Sequence, residues 1–151
     1  MTDNVNHPRH YESDSGVECI EVASALPYAI GNTVKYIWRA PYKGRYDEDL
    51  RKAQWFLNQY IGECMTHRRR RSLQETLQVD LNVERAFGDV NPENNGAFHA
   101  WQERLSSVVA SLHKRGDERE LFFRHLMQCD VMSMQIDIDA LIRHSKEVKV
   151  E

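Results

Sequence analysis

The sequence predicts an all-α fold: a small N-terminal three-helix unit, then a connector, then a long C-terminal helical hairpin. Three observations carry this. Apolar residues recur at three- and four-residue spacing, as Ile30, Val34 and Ile37 do. No stretch alternates apolar and polar residues in the way a half-buried strand does. Pro27, Pro41 and Gly116 stand at the ends of periodic segments, where helices start and stop.

Residues 1–16 are rich in Asn, Asp, Ser and His and read as an extended arm or loop. Within it, His7-Pro8-Arg9-His10-Tyr11 is dense in groups that hold phosphate or move a proton. Pro8 fixes one torsion and biases His7 towards an extended backbone. Such a strap could close over a ligand. The plainer role is that Tyr11 and one histidine pin the arm to the body.

The first helix is expected over 17–27, with Ile20, Ala23 and Leu26 on one stripe and Cys19 and Val22 beside them. Glu18 and Glu21 share a face, which suits either a helix N-terminus or a metal pair. The second helix follows Pro27 and has two unlike faces. Ile30, Val34 and Ile37 form the apolar one. Asn32, Lys35, Tyr36, Arg39 and, a turn on, Lys43 form the other, with Trp38 nearby. Lys35 and Arg39 are neighbours that repel, by roughly 0.2–0.5 kcal/mol on an isolated helix. A bound anion or an acidic partner in the fold reverses that sign. Gly31 permits close approach by a helix or ligand.

Pro41 breaks the helix. The basic, aromatic loop after it is too short for a phosphate-binding P-loop, and GxxxxGK[ST] occurs nowhere. Asp47 then reads as the cap of a third helix with stripe Leu50, Ala53, Leu57, Tyr60 and Ile61, broadened by Trp55 and Phe56. Arg68 to Arg71 lie at or beyond that helix's C-terminus, where positive charge is favourable, so nucleic acid is not the expected partner. Residues 66–96 form the basic run and connector. Phe98, Trp101, Leu105, Val108, Val109 and Leu112 mark a helix over about 97–114. Gly116 stops it and Asp117 caps the next. Leu121, Phe122, His125, Cys129, Met132 and Ile136 carry one further helix to about 146. At roughly 40–45 Å it must kink, project or pack on another chain. Met127, Met132 and Met134 suit an adaptable oligomer interface. Asp130, Asp137 and Asp139 read as surface residues.

Bulk properties narrow the function classes. The 151 residues suggest one domain or a small domain with an appendage, and 41% apolar content is enough for a core. The net charge of −3 excludes a molecule that binds nucleic acid by overall charge. No apolar run spans a bilayer and no signal-peptide core opens the chain. A cytoplasmic protein without membrane contact is therefore expected. Cys19, Cys64 and Cys129 are odd in number and widely spaced, which points to free thiols rather than a zinc or redox site.

The motifs HPxHY, GxECIE, GNxxKYxWR and EDLxKAxW occur here in that order, as His7 to Tyr11, Gly16 to Glu21, Gly31 to Arg39 and Glu48 to Trp55. Together they resemble the SaV-like family of phage-encoded proteins, most of which have no assigned function. A phage kinase of deoxynucleoside monophosphates carries a similar domain. The resemblance covers about residues 5–60, says nothing of the chain after about 65, and implies the host cytoplasm. The domain reading is thus a unit over 1–65, the connector over 66–96 and a helical hairpin over 97–151 suited to oligomerisation.

The resulting expectation is a nucleotide-handling protein: a kinase without a P-loop that transfers a phosphoryl group to a (deoxy)nucleoside monophosphate. The donor is ATP or another nucleotide, and Mg²⁺ is possible. His7, His10 and Arg39 are the candidate catalytic groups. Arg9, Tyr11, Asn32, Lys35, Tyr36, Trp38 and Lys43 are the candidate substrate contacts. Phosphoryl transfer needs positioning and charge stabilisation above all, so such a cluster is chemically adequate. One alternative is a binder that sequesters a nucleotide without turnover. Another is an all-α pyrophosphohydrolase holding metal on Glu18 and Glu21, although the second ExxD element such enzymes need has no clean match here. The last is a helical adaptor that docks a host protein through 97–146.

Overall fold

A computed structural model describes residues 5–11, 13–66, 71–77 and 96–150. It is all-α, and no strand occurs among the described residues. The helices are α1 (Cys19–Ala23), α2 (Tyr28–Arg39), α3 (Tyr46–Met65), α4 (73–77), α5 (Gly96–Lys114), α6 (Glu120–Met127) and α7 (Val131–Val150). Short 3₁₀ turns cover Arg9–Tyr11 and Ala40–Tyr42. No described helix is long and apolar enough to cross a membrane.

Helix α2 is the hub. Its face Ile30, Val34 and Ile37 is wholly buried, and the helix packs along α3. It stops at Arg39, as Pro41 requires, and a 3₁₀ turn carries the chain into α3. Gly31 is where α2 meets the end of α1: a Cβ there would sit 3.1 Å from the Ala23 carbonyl oxygen. The close approach anticipated for this glycine is to backbone.

Two stripes differ from expectation. Helix α1 is a short turn that buries Cys19 and Val22, so Ile20 is swung outward and is 65% exposed. On α3, Leu50, Ala53, Leu57 and Tyr60 face the core. Trp55 is two residues from both Ala53 and Leu57, about 200° around the helix from each. It is 57% exposed instead of buried.

The C-terminal half shows the largest departure. Helix α5 follows its expected stripe in full, from Phe98 to Leu112. The single helix expected up to about 146 is two helices, broken after Met127. Cys129 adopts a left-handed backbone, φ 57°, and its N–H bonds the Leu126 carbonyl. Asp130 then accepts from the Ser133 N–H and hydroxyl, capping α7. The break resets the helical register. Leu121, Met132 and Ile136 are exposed, while Phe122, Phe123, Leu126, Met134 and Ile138 fill the core.

One apolar core runs from Cys19 to Ile142 and joins both halves. Trp101 donates from Nε1 to the Val22 carbonyl at 3.0 Å, tying α5 to α1. Helix α7 lies on α3, with Gln54 donating to Asp139 and Gln135 to Asn58.

Helix α6 and the residues just before it are held in place by charged groups. Arg119, 3% exposed, donates to both oxygens of Asp117 and, through Nη1, to the carbonyls of Ile37 (3.2 Å) and Trp38 (2.8 Å). It thus satisfies backbone acceptors at the C-terminal end of α2. Burial opposes ionisation of Asp117, but bonds and charge from Arg119 outweigh it and hold its pKa at about 2. His113 meets Glu120 at 2.7 Å and His125 meets Asp137 at 2.5 Å. Glu118 takes bonds from Tyr46 and His144.

The cysteines are free thiols, Cys19 buried and the other two partly so. Of the arginine run only Arg71 is described, and it is exposed. His67 to Arg70, Leu81 and the turn signals over 88–95 lie outside the described residues.

Candidate functional site

The polar face of α2 turns away from the core and meets the N-terminal arm on one side and α3 on the other. Against α3, Arg39 donates from Nε and Nη2 to the two carboxylate oxygens of Asp49, both at 3.2 Å. Asp49 is 1% exposed. Partial burial of Arg39 works against its charge, but its hydrogen bonds to Asp49 and Tyr11 outweigh that and raise its pKa. Asp49 is thus the acidic partner that relieves the repulsion between Lys35 and Arg39. It also occupies the planar fork that a phosphate would otherwise engage.

Beside this pair lies an aromatic and cationic cluster. The Tyr36 ring stacks on Phe56, centroids 5.8 Å apart. Lys35 Nζ, the Arg39 guanidinium carbon and Lys52 Nζ lie 4.6, 4.7 and 5.6 Å from the Tyr36 centroid. Each such contact is worth about 0.5–1 kcal/mol where water reaches it. Tyr28 and Trp55 meet Phe56 edge-on and are themselves exposed.

On the arm side, residues 5–11 fold back across the α1–α2 junction. The Tyr11 N–H bonds the Pro8 carbonyl in the 3₁₀ turn. His7 Nδ1 lies 2.6 Å from Glu18 Oε1. Glu18 is also the N-cap of α1, and its N–H donates to Glu21 at 2.6 Å, so the two glutamates form a capping box. Arg104 approaches Glu21 to 3.9 Å. That arrangement accounts for the ExxE spacing as helix capping. Among the described residues, no group of three or more His, Cys, Asp or Glu is placed to hold a metal.

Between arm and helices lies a cleft of about 620 Å³. Pro8 and Tyr11 roof it, Cys19, Ala23 and Leu26 floor it, and Gly31, Asn32 and Lys35 form a wall. Burial pushes the Cys19 thiol up to about 12 against the opposing charge of Lys35, so the floor is not nucleophilic. Asn32 donates to the Tyr28 carbonyl. Lys35 belongs both to the cleft wall and to the cluster over Tyr36.

Residues 5–58 match a family model. Its description is a protein of unknown function, DUF3310. No curated protein and no solved structure matches the chain. The matched segment takes in the arm, α1, α2 and most of α3, which are the walls of the cleft and the cluster beside it.

The expected site residues divide accordingly. Tyr11, Asn32, Lys35 and Glu18 line the cleft. Tyr36 and Arg39 stand at its side, with Arg39 engaged by Asp49. Trp38 does not reach the site: it is 3% exposed and edge-on to Phe123 in the core, so it cannot stack on a base. Arg9 and Lys43 are exposed and do not line the cleft. The His10 side chain lies outside what is described. Lys52 and Phe56 were not among the candidates. They lie on α3, ten or more residues from α2, and Lys52 reads in sequence as the ordinary i+4 partner of Glu48, which it meets at 3.3 Å.

Proposed function

We propose that the cleft binds a nucleotide and that the protein is a phosphotransferase acting on a (deoxy)nucleoside monophosphate. One observation carries this: an apolar cleft sized for a small ligand opens beside three cations gathered on one aromatic ring. A flat base suits the cleft and a phosphate suits the cations. Lys35, shared by both, is the residue on which the assignment rests. ATP or another nucleotide would be the donor, with Mg²⁺ as a possible companion. His7 would have to leave Glu18 before moving a proton.

A second reading has an observation of its own. Among the described cleft side chains, Tyr11, Glu18, Cys19, Tyr28 and Lys35 are the ionisable ones, and no described histidine lines the cleft. That favours capture of a nucleotide without turnover. Assembly into a homo-oligomer belongs with either reading.

The test is to incubate the protein with each deoxynucleoside mono- and triphosphate, with and without ATP and Mg²⁺, and to separate the products. ATP-dependent formation of a diphosphate supports transfer. Release of pyrophosphate returns attention to Glu18 and Glu21. Thermal stabilisation without turnover supports capture, because a ligand of the folded state raises its stability. Neither turnover nor stabilisation overturns both readings.

A further inference from the structure

We infer that the phosphate end of the ligand is held outside the cleft proper, by Lys35 and Lys52 over the Tyr36 ring, with Glu48 as the group it displaces. This rests on the reading that the cleft takes a phosphorylated ligand. It adds which residues take the phosphate and what occupies their place before it arrives.

Phe56 stacks on one face of Tyr36 at an interplanar angle of 15°, which leaves the other face to the cations. Lys35 Nζ and Lys52 Nζ, from different helices, lie 4.6 and 5.6 Å from the ring centroid. Arg39 is beside them but is fixed on buried Asp49. The other two differ. Lys35 has no carboxylate partner among the described residues, and Lys52 has only Glu48, at 3.3 Å, in a pair exposed to water on both sides. Exposed pairs of this kind contribute about 0–1 kcal/mol, so a dianion exchanges for Glu48 at little cost. A lysine ammonium is a point charge that turns freely towards phosphate. Contact with the Tyr36 ring favours each ammonium group and so offsets their mutual repulsion. Arg39 and Asp49 pin α2 to α3 and so fix the spacing of the two lysines.

Pyrophosphate and inorganic phosphate serve as probes, since neither needs the apolar cleft. Binding is read by ³¹P NMR titration on the full chain, with thermal unfolding as a check on folding. Lys35→Met and Lys52→Met each weaken pyrophosphate binding roughly tenfold, the scale of a lost hydrogen bond between charged groups. Glu48→Gln tightens it about two- to fivefold, the scale of an exposed pair removed. Arg51→Met is the control: it removes the same charge from the same helix, but Arg51 is held by Asp47 at 3.1 Å. It changes binding less than about twofold. Equal losses in Lys52→Met and Arg51→Met overturn the proposal in favour of bulk charge. So does unchanged binding in both lysine variants, or no pyrophosphate binding by the wild type. Pyrophosphate bound by the lysines, with no nucleotide bound, would instead sink the nucleotide reading and leave this subsite standing. Nucleotide binding indifferent to Lys52 would do the reverse.

Discussion

Helix α6 and the cleft are both rich in charged side chains, and they use them differently. Around α6 nearly every charge has a partner within the fold: Arg119 with Asp117, His113 with Glu120, His125 with Asp137, and Glu118 with Tyr46 and His144. Around the cleft fewer are closed off in this way: Arg39 is held by Asp49, and Glu18 meets His7. Among the described residues Lys35 meets an aromatic ring and no carboxylate, Lys52 has a weak exposed pair, and Ile20, Tyr28 and Val5 leave apolar surface uncovered. The lesson is that charge density does not mark a site. What marks it is charge that the fold has left available beside exposed apolar surface.

That contrast predicts a ranking. Arg119→Met removes the donor to two buried helix carbonyls and takes from Asp117 its buried partner, leaving it Arg115. It should cost about 3–5 kcal/mol in urea or thermal unfolding, with no specific change in ligand affinity in the molecules that remain folded. Asp49→Asn breaks the bidentate link between α2 and α3 and should cost about 1.5–3 kcal/mol. Because it also loosens the spacing of Lys35 and Lys52, it should weaken pyrophosphate binding as well. Lys35→Met should cost at most about 0.5–1 kcal/mol, the worth of its contact with Tyr36, while nucleotide protection against heat is lost. If Lys35→Met unfolds the protein as readily as Asp49→Asn does, the distinction between the two regions fails.

Acid sharpens the comparison. Asp117 has its folded pKa lowered from 3.8 to about 2. Its contribution is therefore present above about pH 4 and is lost as pH falls towards 2. Urea midpoints should decline across that window, and the part of the decline due to this group should vanish in Asp117→Asn. The smallest effect is chemical. Cys19, buried with its thiol pushed up to about 12, should resist maleimide in the native protein and react on unfolding.

The sequence made the all-α architecture legible, and two helices almost entirely so. The stripes of α2 and α5 are long, regular and bounded by Pro or Gly, and every residue on them is buried. The end of the chain was not legible, because nothing at residues 128–130 signals a stop. Cys129 takes a left-handed backbone without being glycine, and a period drawn across it puts Met132 and Ile136 on the wrong side. For the site, spacing along α2 correctly separated a polar from an apolar face, and Tyr11, Asn32 and Lys35 do meet at one cleft. Trp38, four residues from Val34, falls on the apolar stripe, so its burial was legible in the spacing. Spacing alone could not show that Asp49 folds back onto Arg39 or that Lys52 arrives from another helix. Those contacts are tertiary, and no helical period encodes them.

The bond from Trp101 to the Val22 carbonyl joins positions 79 residues apart in the chain. Seen from a chain emerging from the ribosome, the floor of the cleft lacks its backing until α5 has been made. Long-range closures of this kind are slow steps in folding. The matched segment ends at residue 58, but the apolar core does not end there. A fragment cut at that border would leave an apolar face of α1 and α2 bare. Any other protein built on the same segment must bring its own lid for that face, from its own chain or from a neighbour.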